Sequence, residues 1–217
     1  NGTPARSRAE SIPAYEPLFF SYMPKNDTLE LLIRVSNYEH RRGGFWLPMK
    51  VGTFHTIQTN FANHWFSSIA VTGMLFASFL FFFVFYLLDR RNIKLLMFSL
   101  LALCLALRPF LSTPYLISIF DITNWSLIVR GEYLILGLMI TSGAWLAYYI
   151  YPTSWFRKAA TAIDFVFLAS TILIFVAPVY VFSYSVFVIQ SLALFVLVYA
   201  FVMSLRGILR KRWIDLI

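Results

Sequence analysis

Three charged residues interrupt stretches of sequence that are otherwise apolar. A charged side chain inside a membrane is costly, so it marks a functional position by default. Asp164 follows Lys158 by six residues, which predicts a depth of roughly 9 Å. Arg108 and Glu132 are predicted at similar depths, near the opposite face, on consecutive helices. Each of the three can couple ligand binding to helix movement, and we take them as candidates for signal coupling.

Each of these candidates also has a structural interpretation. Asp164 can hydrogen-bond a neighbouring helix or reach back toward Lys158. Arg108 and Glu132 can form an ion pair, and Glu132 would suit the positive end of its helix. Arg130 is expected to act as an interfacial anchor.

Other chemistries have less support in the sequence. His40, His55 and His64 are separated by fifteen and nine residues, a spacing that matches no compact zinc motif. The chain shows no phosphate-binding loop, dinucleotide fingerprint or hydrolase elbow. We therefore predict no metal site, no cofactor and no catalytic residues within this sequence.

The composition is that of a membrane protein. Of the 217 residues, 59% are hydrophobic and 13% are charged, whereas soluble domains carry about 25% charged residues. The net charge of +8 resides largely in short loops beside apolar stretches, where Lys and Arg set topology. The expected partner is therefore the lipid bilayer, and no nucleic-acid partner is predicted.

Five apolar stretches are predicted to cross the bilayer as helices. The first, Ile69 to Leu88, has twenty uncharged residues and matches a hydrocarbon core of roughly 30 Å. The others cover about 94–110, 131–151, 159–178 and 184–205, and the third helix can begin as early as Thr123. The 41 residues from Phe165 to Leu205 carry no charge, and Pro178 divides this run between the last two spans.

The distribution of Lys and Arg predicts the orientation. If the N-terminus is outside, the inner loops carry nine of these residues and the outer connections carry two, Arg108 and Arg130. The positive-inside rule then predicts an extracytoplasmic N-terminal segment and a cytoplasmic C-terminus.

Residues 1–66 read as a separate segment before the membrane domain of residues 67–217. Short strands are predicted at 17–22, 29–35, 45–49 and 51–57, with a glycine pair at Gly43 and Gly44. Four short strands cannot bury a core alone. We expect the C-terminal part of a β-sandwich whose earlier strands precede residue 1, so that the chain is a fragment.

Several short motifs resemble a known family. They are Leu31–Asn37 (LLIRVSN), Gly43–Trp46 (GGFW), Val51–Gly52, Gly73–Met74, Tyr86–Arg90 (YLLDR), and Trp125 followed by Arg130–Leu134 (RGEYL). The first three are similar to the end of a bacterial extracytoplasmic sensor domain, a jelly roll of carbohydrate-binding type. The others resemble the membrane bundle of bacterial seven-transmembrane receptors with diverse intracellular signalling modules.

The resemblance implies a signalling receptor of the bacterial inner membrane. Its ligand would be an extracytoplasmic small molecule or carbohydrate, with Arg34, Asn37 and Trp46 as candidates for binding. Trp46 can stack on a sugar ring or pack in the sandwich core. Five of seven expected spans would be present, and an output module in cis, such as a diguanylate cyclase or histidine kinase, would follow residue 217. A homodimer suits such a receptor, although no residue indicates one.

Two other functions remain open. A transporter or channel subunit would use Asp164, Arg108 and Glu132, yet transport sites usually lie near the membrane midplane on broken helices. These three residues are predicted toward the ends of their spans. A membrane enzyme acting on lipid would need polar groups clustered at one interface, and Asp164 alone is insufficient.

Overall fold

A computed structural model describes residues 3–13, 20–23, 30–41, 49–112 and 124–214. Its helices are α1 (Phe54–Leu88), α2 (Ile93–Ser112), α3 (Trp125–Ile150), α4 (Ser154–Val176), the short α5 (Val179–Phe182) and α6 (Ser185–Ile214).

Among these described residues, five helical stretches are long and apolar enough to cross a membrane: α1, α2, α3, α4, and α5 with α6 taken together as Val179–Leu209. The prediction of a polytopic membrane helix bundle is therefore confirmed. α1 ends at Leu88, the predicted residue. α3 and α4 begin six and five residues earlier than the predicted spans at 131 and 159, at Trp125 and Ser154, because their first turns are less apolar than the spans themselves.

α1 begins much earlier than the predicted span. Its first residue is Phe54, after Thr53, whose hydroxyl oxygen accepts a hydrogen bond from the Thr56 N–H at 3.3 Å. This is an N-cap, which satisfies an otherwise unpaired amide of the first turn. The predicted strand Val51–Ile57 is therefore wrong from Phe54 onward. The 35 residues of α1 extend about 51 Å, some 20 Å more than the hydrocarbon core.

The predicted β-strands are not found in the part of the segment that the structure describes. Residues 20–23 and 30–37 form neither strand nor helix, so the strands predicted at 17–22 and 29–35 are wrong over those residues. The β-type backbone pairing found among the described residues is an isolated antiparallel bridge between Thr3 and Ile12. Most of the strand predicted at 45–49, with Gly43, Gly44 and Trp46, lies outside the described residues.

α3 is the central helix of the bundle. It packs against α2, α4, α5 and α6, whereas α1 packs against α2. We call the end of the bundle where α1 and α3 begin the N-terminal end. The opposite end, with the α1–α2 and α3–α4 loops, is called the basic end. The buried hydrophobic cluster joins four helices and is formed by Val129, Tyr133, Ile140, Ala144, Ala147, Phe156, Ala160, Ile163, Ile174, Val179, Phe182, Val186, Ile189, Val196 and Tyr199.

Close packing of α3 against α4 depends on a glycine. A Cβ atom on Gly137 would lie 2.5 Å from Cδ2 of Phe167. Any larger residue here would therefore require the Phe167 ring or the helices to shift. Small residues at helix interfaces let transmembrane helices approach closely, and dispersion contacts then hold them together.

At the basic end, α6 is fastened to the α3–α4 loop. The Tyr199 hydroxyl donates to the Tyr151 carbonyl oxygen at 2.6 Å, and lies 3.0 Å from the Thr153 hydroxyl. The Tyr199 ring stacks on Phe156, with centroids 3.5 Å apart and planes 6° apart. The Tyr151 hydroxyl in turn pairs with the Ser204 hydroxyl at 2.9 Å.

Candidate functional site

Residues 3–13 and 36–41 associate into a small polar structure, here called the N-terminal layer. Arg8 and Glu39 form a two-bond ion pair, with Nε–Oε1 at 2.7 Å and a second N–O distance of 3.2 Å. This contact raises the pKa of the Arg8 guanidinium, chiefly through the hydrogen bond to Glu39. The Tyr38 hydroxyl donates to the Arg6 carbonyl oxygen at 2.7 Å. The layer is thus held together by contacts between residues about 30 positions apart.

Of the predicted ligand-binding residues, Asn37 belongs to this layer and Arg34 lies just before its second stretch along the chain. Arg34 is exposed and forms no hydrogen bond or ion pair with another described residue. The Asn37 side chain is occupied in a local turn, because its Nδ2 donates to the His40 carbonyl oxygen at 2.8 Å and its Oδ1 accepts from the His40 N–H at 3.3 Å. Trp46 lies outside the described residues. The structure therefore brings none of these three into a common described site.

The N-terminal layer contacts the bundle through aromatic rings. The Arg8 guanidinium carbon lies 4.8 Å from the ring centre of Tyr180 on α5, and that of Arg41 lies 4.4 Å from Phe187 on α6. His40 meets Trp125 of α3 edge to face at 6.3 Å. Cations over aromatic faces are attracted by the ring quadrupole. The layer therefore touches three helices of the bundle.

A pocket of about 400 Å³ lies between the N-terminal layer and the bundle. Its walls combine Ile12, Pro13 and Glu39 of the layer with Asn124, Trp125, Ser126, Arg130, Pro178 and Val179 of the helix ends. This volume falls within the range of roughly 300–1,000 Å³ that is common for small-molecule sites. The pocket offers a carboxylate, a guanidinium, an amide and a hydroxyl beside an indole ring. This combination suits a polar ligand with several hydroxyl groups, and it forms the candidate functional site.

Arg130 is fixed in this pocket by contacts to three elements. Its guanidinium donates to the Ser126 hydroxyl at 3.2 Å and to the Ala177 carbonyl oxygen, just past the end of α4, at 3.1 Å. Its Cζ lies 5.3 Å from the ring centre of Phe182 on α5. A cation at a helix C-terminus is favoured by the helix dipole. The sequence suggested only an interfacial anchor, since the α4 carbonyl is 47 residues away.

The α5 turn beside this pocket is held from α3. The Tyr133 hydroxyl donates to the Ser183 carbonyl oxygen at 3.1 Å, and the Tyr133 ring meets Phe182 edge to face at 5.3 Å. Tyr133, Phe182 and Ser183 are all buried. The short helix α5, whose first residue Val179 lines the pocket, is thus held against the central helix α3.

Arg108 and Glu132 are near each other but do not form the predicted direct ion pair. The charge of Arg108 acts on the Glu132 carboxylate. Even so, no nitrogen–oxygen contact of ion-pair length joins them, and the ion pair found among the described residues is Arg8–Glu39. Arg108 is exposed and Glu132 half-buried on the packed helices α2 and α3.

Asp164 is bonded to a neighbouring helix, which was one of its two structural interpretations. Its Oδ2 accepts from the Trp145 indole N–H of α3 at 2.8 Å, while its Oδ1 is buried without a hydrogen-bond partner among the described residues. Because α4 begins at Ser154, Asp164 lies about 15 Å from its first residue in a helix about 33 Å long. It therefore lies near the middle of α4 along the helix axis.

The described residues offer no metal centre, because no three His, Cys, Asp or Glu side chains gather in a suitable group there. In comparisons with known proteins, no protein-family model, no curated protein and no solved structure matches the chain.

Proposed function

We propose that this chain is the sensing and membrane part of a transmembrane signalling receptor, of the kind that its sequence motifs resemble. A small molecule or carbohydrate would bind on the extracytoplasmic side and alter the bundle. A cytoplasmic output module, absent from this sequence, would respond. The excess of nine over two basic residues supports an extracytoplasmic N-terminal end in a bacterial inner membrane.

The observation that carries this proposal is the pocket shared by the N-terminal layer and the bundle. Its walls come from Ile12, Pro13 and Glu39 on one side and from the start of α3 and the α4–α5 junction on the other. A ligand that contacts both the N-terminal layer and the bundle would bind conformations with different spacing between these two parts with different affinity. Differential affinity of this kind is what a ligand needs in order to shift a conformational equilibrium.

Continuity of α1 gives a second line of support. The helix runs without a break from Phe54 to Leu88. It therefore joins the segment before the membrane to the basic end through a single stiff element. A flexible linker at this position would absorb displacement, whereas a continuous helix passes it on.

The test uses the full chain in lipid nanodiscs. Binding of mono- and oligosaccharides is screened by calorimetry, and the distance between spin labels at Ala9 and Ile208 is measured by electron paramagnetic resonance. We expect a bound sugar to change this distance. We expect Arg130→Gln to abolish binding and Arg34→Gln, outside the pocket, to preserve it. Binding without any distance change, or equal binding by both variants, would contradict the proposal.

A transporter or channel subunit is the second candidate, and one observation favours it. The Asp164 carboxylate has a buried oxygen without a partner among the described residues, near the middle of its helix. Against this function, α4 is unbroken at Asp164, whereas transport sites use interrupted helices. The test measures solute flux into proteoliposomes for two variants. Loss of flux in Asp164→Asn, with flux retained in Trp145→Phe, would favour transport over sensing.

A further inference from the structure

A groove opens at the basic end of the bundle, on the surface formed by the α3–α4 loop and the first three turns of α4. Its volume is about 760 Å³. Arg157 and Lys158 lie at its loop end, and Ala162 and Phe165 lie deeper along α4. From Ser154 to Phe165 the groove follows the helix for about 16 Å.

The two cations of the groove have no charge partner in the part of the chain that the structure describes. Arg157 and Lys158 are both exposed, and neither forms an ion pair with another described residue. They lie at the end of the first turn of α4 and the start of the second, close to the helix N-terminus, where the helix dipole disfavours positive charge. Thr153 precedes this turn without making a side-chain cap. A bound anion would therefore be favoured here, because it would be attracted both to the two cations and to the positive end of the helix dipole.

The polarity of the groove changes along its length. Thr153, Ser154 and Tyr148 line the groove together with the cations, and Ala162 and Phe165, further along α4, supply apolar wall. Phe165 is 68% exposed, so its ring is available to a neighbour from the lipid phase. A phospholipid has the same order of groups: a phosphate, then ester oxygens, then acyl chains.

We propose that this groove binds one anionic glycerophospholipid from the leaflet at the basic end. The phosphate lies between Arg157 and Lys158, and the acyl chains run along Ala162 and Phe165. Basic pockets beside transmembrane helices are known to hold anionic headgroups. The groove is distant from the pocket at the N-terminal end, so this site is independent of the proposed sensing function.

The test titrates the full chain with phosphatidylglycerol in detergent and measures the dissociation constant by native mass spectrometry. Arg157→Gln with Lys158→Gln removes both cations. We expect about thirtyfold weaker binding, since each cation near a lipid surface contributes about 1 kcal/mol. The matched control is Arg90→Gln with Arg91→Gln, which removes two exposed charges from the α1–α2 loop at the same end, outside the groove.

A second variant separates shape from charge. Ala162→Trp fills the groove and leaves both cations in place, and we expect it also to weaken binding. Phosphatidylcholine should bind weakly to every variant, and inorganic phosphate at millimolar concentration should not displace phosphatidylglycerol. Equal losses in the two charge variants would overturn the proposal, as would unchanged binding in Ala162→Trp or displacement by phosphate. All of these positions are exposed, and circular dichroism checks that each variant is folded.

Discussion

The guanidinium of Arg130 donates a hydrogen bond to the carbonyl oxygen of Ala177 at 3.1 Å. This contact joins the second turn of α3 to the residue just past the end of α4. It satisfies a carbonyl at a helix terminus, where no amide of the helix itself is available. Because the same side chain lines the pocket under the N-terminal layer, helix capping and pocket formation share one residue.

Arg130→Gln should therefore destabilise the junction of α4 and α5. We expect a loss of about 1–2 kcal/mol, because both a charge-assisted hydrogen bond and the attraction to the helix dipole are removed. Thermal unfolding in detergent measures the loss. Arg34→Gln removes an exposed arginine without a described partner and should stay within about 0.5 kcal/mol of the original chain. Equal effects of the two substitutions would show that the Ala177 contact contributes nothing.

Trp145 and Asp164 should be energetically coupled. Trp145→Phe removes the indole N–H that donates to Asp164 at 2.8 Å, leaving the carboxylate without its described partner. We expect destabilisation of about 1–3 kcal/mol. Asp164→Ala removes the carboxylate that Trp145→Phe leaves unpaired. The double variant of Trp145→Phe with Asp164→Ala should therefore lose less stability than the two single variants lose in sum. Strict additivity in this double-mutant cycle, measured by unfolding in mixed micelles, would rule out the coupling.

Two glycines of α3 should respond oppositely to the same substitution. Gly137→Ala places a Cβ atom 2.5 Å from Phe167, so we expect a lower melting temperature from strained packing of α3 on α4. At Gly143 nothing lies within 4 Å of an added Cβ. There Gly143→Ala should be neutral or stabilising by up to about 1 kcal/mol, because Ala is the better helix former. Combining Gly137→Ala with Phe167→Leu should recover stability, and failure to do so would contradict the steric explanation.

Tyr199→Phe should loosen the basic end without removing the stacked ring. It deletes the hydroxyl that bonds the Tyr151 carbonyl oxygen at 2.6 Å, while the ring can still stack on Phe156. We expect faster amide hydrogen exchange over residues 151–156 and a loss of about 1 kcal/mol. The control is Tyr184→Phe, since Tyr184 is 60% exposed and its hydroxyl has no described partner. If exchange rises equally in both variants, Tyr199 does not hold the loop.

Membrane helices were predictable because apolar length alone defines them. This criterion located the end of α1 at Leu88 and the break near Pro178, where α4 gives way to α5. It failed at the start of α1, because Gln58, Asn60 and Asn63 lowered the hydropathy outside the apolar stretch. A stronger signal was present there: Phe54, Ile57 and Phe61 recur at helical spacing after a capping threonine.

The candidate site was less accessible to sequence analysis. Glu39 and Arg130 are far apart along the chain, and no local pattern indicates that they line one pocket. Arg130 lay at the start of a helix, where an interfacial anchor is the simplest interpretation. Asp164 was recognised from its polarity alone, but its donor, Trp145, depends on how α3 and α4 pack. Such partners are set by tertiary contacts, which periodicity does not encode.

Because α1 is one continuous helix, it fixes the direction in which the side chains of its first turns point around the helix axis, as well as their distance from the bundle. Its one buried residue, Thr72, belongs to a helix that packs against α2. The row formed by Phe54, Ile57 and Phe61 therefore points in a direction set by its helical phase relative to that contact. One residue inserted between Phe61 and Thr72 would rotate the row by about 100° about the helix axis. An insertion of seven residues would return the row to within about 20° of its original direction. The direction in which the segment before the membrane faces is thus fixed relative to the bundle by the helical phase of α1.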